Sequence, residues 1–131
     1  MALHELIGQN KFIVLKKFSL YNEGGDTMAY KIYIHRNKIN GKVYIGQTSE
    51  EDINRRFKGG AGYKSSPHFY HAIEQYGWEN FEHLILEDGL TSEQADKREK
   101  FWIKTFDSMN EKKGYNMTSG GKTKPRNIDS S

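Results

Sequence analysis

The chain contains no cysteine, which excludes a disulfide framework and a thiolate zinc site. No apolar run approaches the length of a membrane span. The N-terminus lacks the charged segment, apolar segment and cleavage site of a secretory signal. A cytoplasmic protein is the expectation. A strong charge of one sign is also missing. The net charge is +3 and the pI about 9.0. Yet residues 28–121 hold fourteen Lys or Arg against thirteen Asp or Glu, and the excess sits in a tail, 122–131, with Lys122, Lys124 and Arg126 against Asp129. Such a balance allows a polyanionic partner without demanding one. What is present is an aromatic share of 13% in 131 residues with a mean hydropathy of −0.86. That composition fits one compact domain with a small aromatic core under a polar surface.

Residues 1–27 read as an N-terminal extension of unassigned role, with a short strand at Phe12–Leu15 and a linker at Asn22–Asp26. Clear patterning begins at Met28. Ile32-Tyr33-Ile34-His35 and Val43-Tyr44-Ile45-Gly46 alternate with period two around Asn40-Gly41, a type I′ hairpin signal. Any even-length loop there puts Tyr33, His35, Tyr44 and Gly46 on one face and Ile32, Ile34, Val43 and Ile45 on the other. Two tyrosines on one sheet face are, taken alone, ordinary packing.

A short helix follows, with Thr48 or Ser49 as cap and Glu50, Glu51 and Asp52 in its first turn. Ile53 and Phe57 form its apolar pair, Arg56 leans toward them, and Arg55 is rotated roughly 100° away. Gly59–Gly62 ends it. The next helix is capped by Ser66, opened by Pro67 and stopped by Gly77. On it His68 and His71 are spaced to share a metal, but no third ligand is near. Phe81–Leu86 reads as a third strand. Gly114-Tyr115-Asn116-Met117 leads into a Ser-Gly-Gly turn and the basic tail.

The last helix carries the most informative residue. Thr91 and Gln94 form a capping box, and Ala95, Trp102, Ile103 and Phe106 define one face through Phe106. Glu99 falls within that stripe. A buried carboxylate is paired, protonated or bound to a cation, because leaving it bare is costly. The plain alternative is a Glu that snorkels to a nearby Lys or Arg.

Two phenols on one face, an inward arginine, an inward carboxylate and a late asparagine now stand together. In this order the sequence resembles the GIY-YIG nuclease family. The matching elements are Lys31-Ile32-Tyr33, Val43-Tyr44-Ile45-Gly46, Ile53-Asn54-Arg55-Arg56-Phe57, Arg98-Glu99-Lys100-Phe101-Trp102-Ile103 and Gly114-Tyr115-Asn116, across residues 28–121. The resemblance implies an α+β fold, a small three-stranded antiparallel sheet flanked by helices. It implies a DNA endonuclease with one divalent ion, Mg²⁺ or Mn²⁺, nicking one strand at a time and of homing or phage type. Glu99 would be the metal-binding carboxylate, Arg56 the arginine at the scissile phosphate, Tyr33 and Tyr44 the active-site phenols, and Asn116 a supporting residue.

The chemistry is coherent in its own terms. Phosphodiester hydrolysis needs a nucleophilic water, stabilised charge on the phosphoryl oxygens and help for the leaving oxygen. Magnesium binds through one or two carboxylates plus phosphate, and arginine offers a planar fork to phosphate. A tyrosine near pKa 10 is a poor base, so a cation must lower it or it must act as a relay. Tyr44 is the preferred phenol because it adjoins Gly46, which leaves room for the DNA backbone. Two departures from the family pattern stand out. Lys31 replaces the leading glycine of the first motif, and Gly60 occupies the position where many members carry a histidine; His71, His35 or Lys42 are candidate substitutes. The rival reading is a non-catalytic nucleic-acid-binding module. Loss of Glu99 or Arg56 would be its mark, and both are present.

Overall fold

The computed structural model describes residues 27–121; the expected strand at 12–15, the linker after it and the basic tail lie outside those residues. Strands β1 (Tyr30–Asn37) and β2 (Val43–Thr48) pair antiparallel, with Tyr33 opposite Gly46, Ile34 opposite Ile45 and His35 opposite Tyr44. Strand β3 (Phe81–Leu90) pairs antiparallel with the other side of β1, so the order is β2-β1-β3. The α+β architecture expected from the sequence is the one observed.

The period-two faces bury two separate cores. Ile32, Ile34, Val43, Ile45 and Leu86 pack with Ala95 and Ile103 on one side. Tyr33 packs with Phe57, Tyr63, Phe69, Ile73, Phe81 and Tyr115 on the other. Each fully buried large apolar side chain contributes about 1.5–3 kcal/mol. A one-residue slip would exchange the two sets, so the register is fixed from both sides.

The turn differs from the expected type I′. The Asn37 N–H donates to the Lys42 carbonyl and the Gly41 N–H to the Asn37 carbonyl, both at 2.8 Å. In this longer, even-length loop Gly41 has φ +82° while Asn40 does not take a positive φ. The buried Asn37 side chain organises it: Oδ1 accepts from the Ile39 N–H at 2.8 Å, and Nδ2 donates to the Tyr115 hydroxyl at 3.1 Å. An Asx turn has replaced the Asn-Gly turn.

Helix α1 (Ile53–Phe57) is capped by Asp52, whose Oδ1 accepts from the Asn54 N–H at 3.0 Å. Thr48 and Ser49 are not its cap, because β2 runs through Thr48, whose Oγ1 accepts from the Glu50 N–H at 3.1 Å. Glu50 and Glu51 therefore precede the helix. The helix ends at the glycine run as expected, with Lys58 in the left-handed region; a 3₁₀ segment, Lys58–Tyr63, follows, kinked by positive φ at Gly59 and Gly60. Helix α2 (Pro67–Tyr76) starts after Ser66 and stops at Gly77 as read, but the Ser66 side chain makes no capping hydrogen bond; its Oγ faces the Tyr44 hydroxyl instead. β3 extends past Leu86, and its register against β1 shifts between Tyr30 and Tyr33. Helix α3 (Ser92–Phe106) opens with both bonds of the capping box: Gln94 N–H to Thr91 Oγ1 at 3.1 Å and Thr91 N–H to Gln94 Oε1 at 2.9 Å. After α3 the chain returns to β2, where the Tyr115 N–H donates to the Val43 carbonyl at 2.9 Å. Among the described residues no helix is long and apolar enough to cross a membrane.

Candidate active site

A cleft of about 550 Å³ is lined by Tyr33, Tyr44, Arg56, Glu99 and Asn116, the five residues singled out from the sequence. They do not share one face of the sheet. The phenols and Arg56 come from the aromatic side, whereas Glu99 stands on α3, which covers the aliphatic side. The two sides meet because the cleft wraps the edge strand β2, whose residues Tyr44, Gly46 and Gln47, from both faces, help to line it.

Glu99 is not neutralised by a lysine or arginine among the described residues. Its Oε1 accepts from Gln47 Nε2 at 2.9 Å and from the Gly121 N–H at 2.7 Å. Gln47 Nε2 also donates to Asp96 Oδ1 at 2.9 Å. Asp96 is itself buried, so Glu99 is not the sole acid on the packed side of α3. The sequence reading missed Gln47 and Asp96. A polar Gln47 continuing the Val43, Ile45 alternation on the aliphatic face, and the spacing of Asp96 to Glu99, were the available signals. Gln47 Oε1 is buried with no partner among the described residues. The amide faces both carboxylates with its donors and holds Glu99 through Oε1 at the wall of the cleft.

Arg56 is half-buried and Arg55 exposed, as the helix phase requires. Arg56 Nη1 donates to the Gly62 carbonyl at 2.7 Å, and its guanidinium lies 4.2 Å from the centre of the Tyr63 ring. Burial works against its charge, but the neighbouring phenols Tyr33 and Tyr63 outweigh burial and hold it firmly protonated.

Tyr33 is fully buried, and a Cβ at Gly46 would overlap its hydroxyl and ring. The space that Gly46 leaves is thus filled by Tyr33, not held open for DNA. Tyr33, not Tyr44, is the phenol that Gly46 accommodates, which removes the reason for preferring Tyr44. Tyr44 stacks on Phe69 at 4.5 Å and places its hydroxyl 3.3 Å from Ser66 Oγ. Burial, then the nearby Tyr44, pushes the Tyr33 phenol well above its ordinary range. Burial also raises Tyr44, against its Ser66 hydrogen bond and Arg56. Arg56 works to lower both phenols but burial outweighs it, which leaves proton relay as the role these side chains can take unaided.

Asn116 is held through both atoms of its amide. Oδ1 accepts from the Ile45 N–H at 2.9 Å and Ser108 Oγ at 2.8 Å, and Nδ2 donates to the Ile45 carbonyl at 2.9 Å. It ties the segment leading to Gly121 onto β2.

The sequence profile of the GIY-YIG catalytic domain matches residues 29–116. The chain belongs to this family. It is 38% identical over 94 residues to the "Putative endonuclease segE" of Enterobacteria phage T4, covering 72% of this chain and 43% of the relative. It is 36% identical over 94 residues to "Putative endonuclease segB" of the same phage, covering 72% and 40%. The chain thus spans less than half the length of these curated relatives. The solved catalytic domain of the intron endonuclease I-TevI, a point mutant, aligns with a TM-score of 0.58 at 30% identity, covering 70% of this chain and 96% of that one.

Both departures from the GIY-YIG pattern have a local cause. Lys31, in place of the leading glycine, is buried with Nζ 3.3 Å from the Glu50 carbonyl and 3.8 Å from Asp88 Oδ1. Gly60 is buried at φ +99°, and a Cβ there would press on Ile73 and Trp78, so a histidine has no room. Of the three candidate substitutes, His71 and Lys42 line a separate cavity of about 420 Å³. His35 is the one packed behind the cleft, its ring 5.0 Å from that of Tyr33 and its Nε2 2.7 Å from the Tyr63 hydroxyl. His68 lines the same separate cavity as His71, and among the described residues no group of three His, Cys, Asp or Glu is placed to hold a metal.

Proposed function

We propose that the cleft hydrolyses DNA phosphodiester bonds one strand at a time, as a cytoplasmic phage- or homing-type endonuclease using one Mg²⁺ or Mn²⁺ ion at Glu99. The observation that carries this reading is the convergence of Tyr33, Tyr44, Arg56 and Glu99 on a single open cleft. The donor set fits a hard cation: one carboxylate, oriented through Oε1 by Gln47 and Gly121, with room beside it for waters and phosphate. When bound, such an ion supplies charge stabilisation on the phosphoryl and leaving oxygens. Arg56 offers its remaining N–H groups to the phosphate. A phenol accepts the hydrogen bond of the attacking water and passes its proton on, because burial keeps both phenols from ionising at neutral pH. The single carboxylate and single arginine fit one scissile phosphate at a time.

Supercoiled plasmid incubated with Mg²⁺ or Mn²⁺ tests the reading. Open circles should form first, chelation should stop the reaction, and Glu99→Ala should lose cleavage by more than roughly 10³-fold while staying folded. Folded wild-type protein that binds DNA but does not nick it with either ion would instead support the non-catalytic binding module.

A further inference from the structure

One amide at the cleft wall joins two acids, and the nuclease chemistry uses only one of them. Gln47 Nε2 donates to Glu99 Oε1 and to Asp96 Oδ1, both at 2.9 Å. The two acids stand three apart on α3, about one turn of helix, so a single side chain from β2 reaches both. Gln47 and Glu99 line the cleft, whereas Asp96 is buried and does not. Gln47 Oε1 is buried without a partner among the described residues. The amide thus gives its donors to carboxylates and leaves its own oxygen unmatched.

We infer that Asp96 and Gln47 are positioning residues for Glu99: Asp96 pins the Gln47 amide, and the pinned amide fixes the carboxylate through Oε1. The orientation follows from the groups present. Turned over, the amide would press Oε1 against two carboxylates and deprive both of a donor. The terminal torsion of a glutamine is broad, so one hydrogen bond leaves the amide plane free to turn. Two acceptors, one for each hydrogen of Nε2, hold it. The Gly121 N–H adds a second donor to Glu99 Oε1 at 2.7 Å, while Oε2 has none among the described residues.

This deepens the nuclease reading and rests on it for the ion. A carboxylate held through one oxygen presents the other in a single orientation, so Glu99 Oε2 is the oxygen left to take Mg²⁺ or Mn²⁺ without first being reorganised. An amide and a backbone N–H do this with no positive charge. A lysine or arginine in their place would hold the carboxylate equally well and repel the ion. Asp96 acts only through Gln47.

Two measurements test the arrangement, and the first needs neither activity nor a variant. NMR of the Gln47 side-chain amide in the ion-free protein should show both hydrogens exchanging slowly with solvent. Two hydrogens exchanging as in a free amide would overturn the inference whether or not the protein cuts DNA. The second measurement is Mn²⁺ binding to the DNA-free protein, followed by loss of the free-ion EPR signal. Gln47→Met keeps the length of the side chain and removes both donors. It should weaken Mn²⁺ binding by roughly 10–100-fold, the usual loss when a group that orients a metal ligand is removed. Both acids remain in that variant, so unchanged or tighter binding would show that negative charge alone holds the ion and would overturn the inference. Asp96→Leu should weaken binding by about tenfold, whereas Asp96→Asn, which keeps an acceptor Oδ1 but no charge, should stay within about threefold of wild type. Equal losses in the two would mean that Asp96 acts by its charge and not through Gln47, which would overturn its assigned role. A wild type that takes up no Mn²⁺ yet shows the pinned amide would sink Glu99 as the ion's ligand and leave the pinned carboxylate standing.

Discussion

Each side chain in the cleft has two jobs, and the jobs separate by substitution. Arg56 braces the Gly62 carbonyl and covers Tyr63, but only its planar fork can hold a phosphate in two places. Arg56→Lys should therefore stay folded and lose roughly 10²–10³ in single-turnover rate, the usual loss for one transition-state donor. Arg55→Ala should only weaken DNA binding in a salt-dependent way. Equal effects, measured by cleavage and by filter binding at two salt concentrations, would show that α1 presents the wrong arginine. For the phenols, Tyr33→Phe should cost roughly 10²–10⁴-fold in rate, the range for a lost proton-transfer group. Tyr44→Phe breaks one 3.3 Å contact to Ser66 and keeps the Phe69 stacking, so its loss should be much smaller. A larger loss at Tyr44 would restore it as the phenol at the water.

Among the elements, the β1–β2 hairpin joins fold and site most tightly. Gly46→Ala puts a methyl group into the Tyr33 ring, an overpacking defect of about 1–3 kcal/mol that urea denaturation would detect. The same change should shift the Tyr33 hydroxyl and lower cleavage beyond the stability loss. The hairpin's two faces were legible in the sequence because alternation is a local property that packing on both sides reinforces. The capping box at Thr91 and the Ser66–Gly77 limits of α2 were legible for the same reason. The turn type was not, because a buried Asn37 tied to the distant Tyr115 decides it. Nor was the geometry of the cleft, since alternation assigns each residue to one face and the cleft wraps an edge. Gln47 and Asp96 escaped notice because their role exists only across the β2–α3 contact. Its place in an apolar stripe picked out Glu99; only the structure gives it a neutral amide and a backbone N–H, in place of a cation, as partners.

At the scale of the molecule, two cores back to back on one thin sheet make stability sensitive to what sits between the aromatic rings. Burial depresses the His35 pKa well below its ordinary value. Below about pH 6.5 the unfolded chain takes up a proton that folded His35 refuses, so the unfolded state binds more protons and stability falls with falling pH. This contribution is intact above about pH 6.5 and is lost at up to about 1.4 kcal/mol per pH unit on acidification, until His35 itself protonates. Urea unfolding between about pH 7 and pH 5 should show this slope, and a folded His35→Asn variant should flatten it. An unchanged slope in that variant would remove His35 as its source.

The bond from the Gly121 N–H to Glu99 has a consequence for anything joined to this domain. The backbone leaves the described region at the lip of the cleft, already tethered to the carboxylate that would hold the ion. A module fused after Gly121 would be joined beside the carboxylate proposed to hold the ion, so the length and stiffness of the joining segment would set how far from that module's own binding site the cleft could reach. Pulling on that segment would also tug at Glu99, giving a fused partner a mechanical handle on the chemistry.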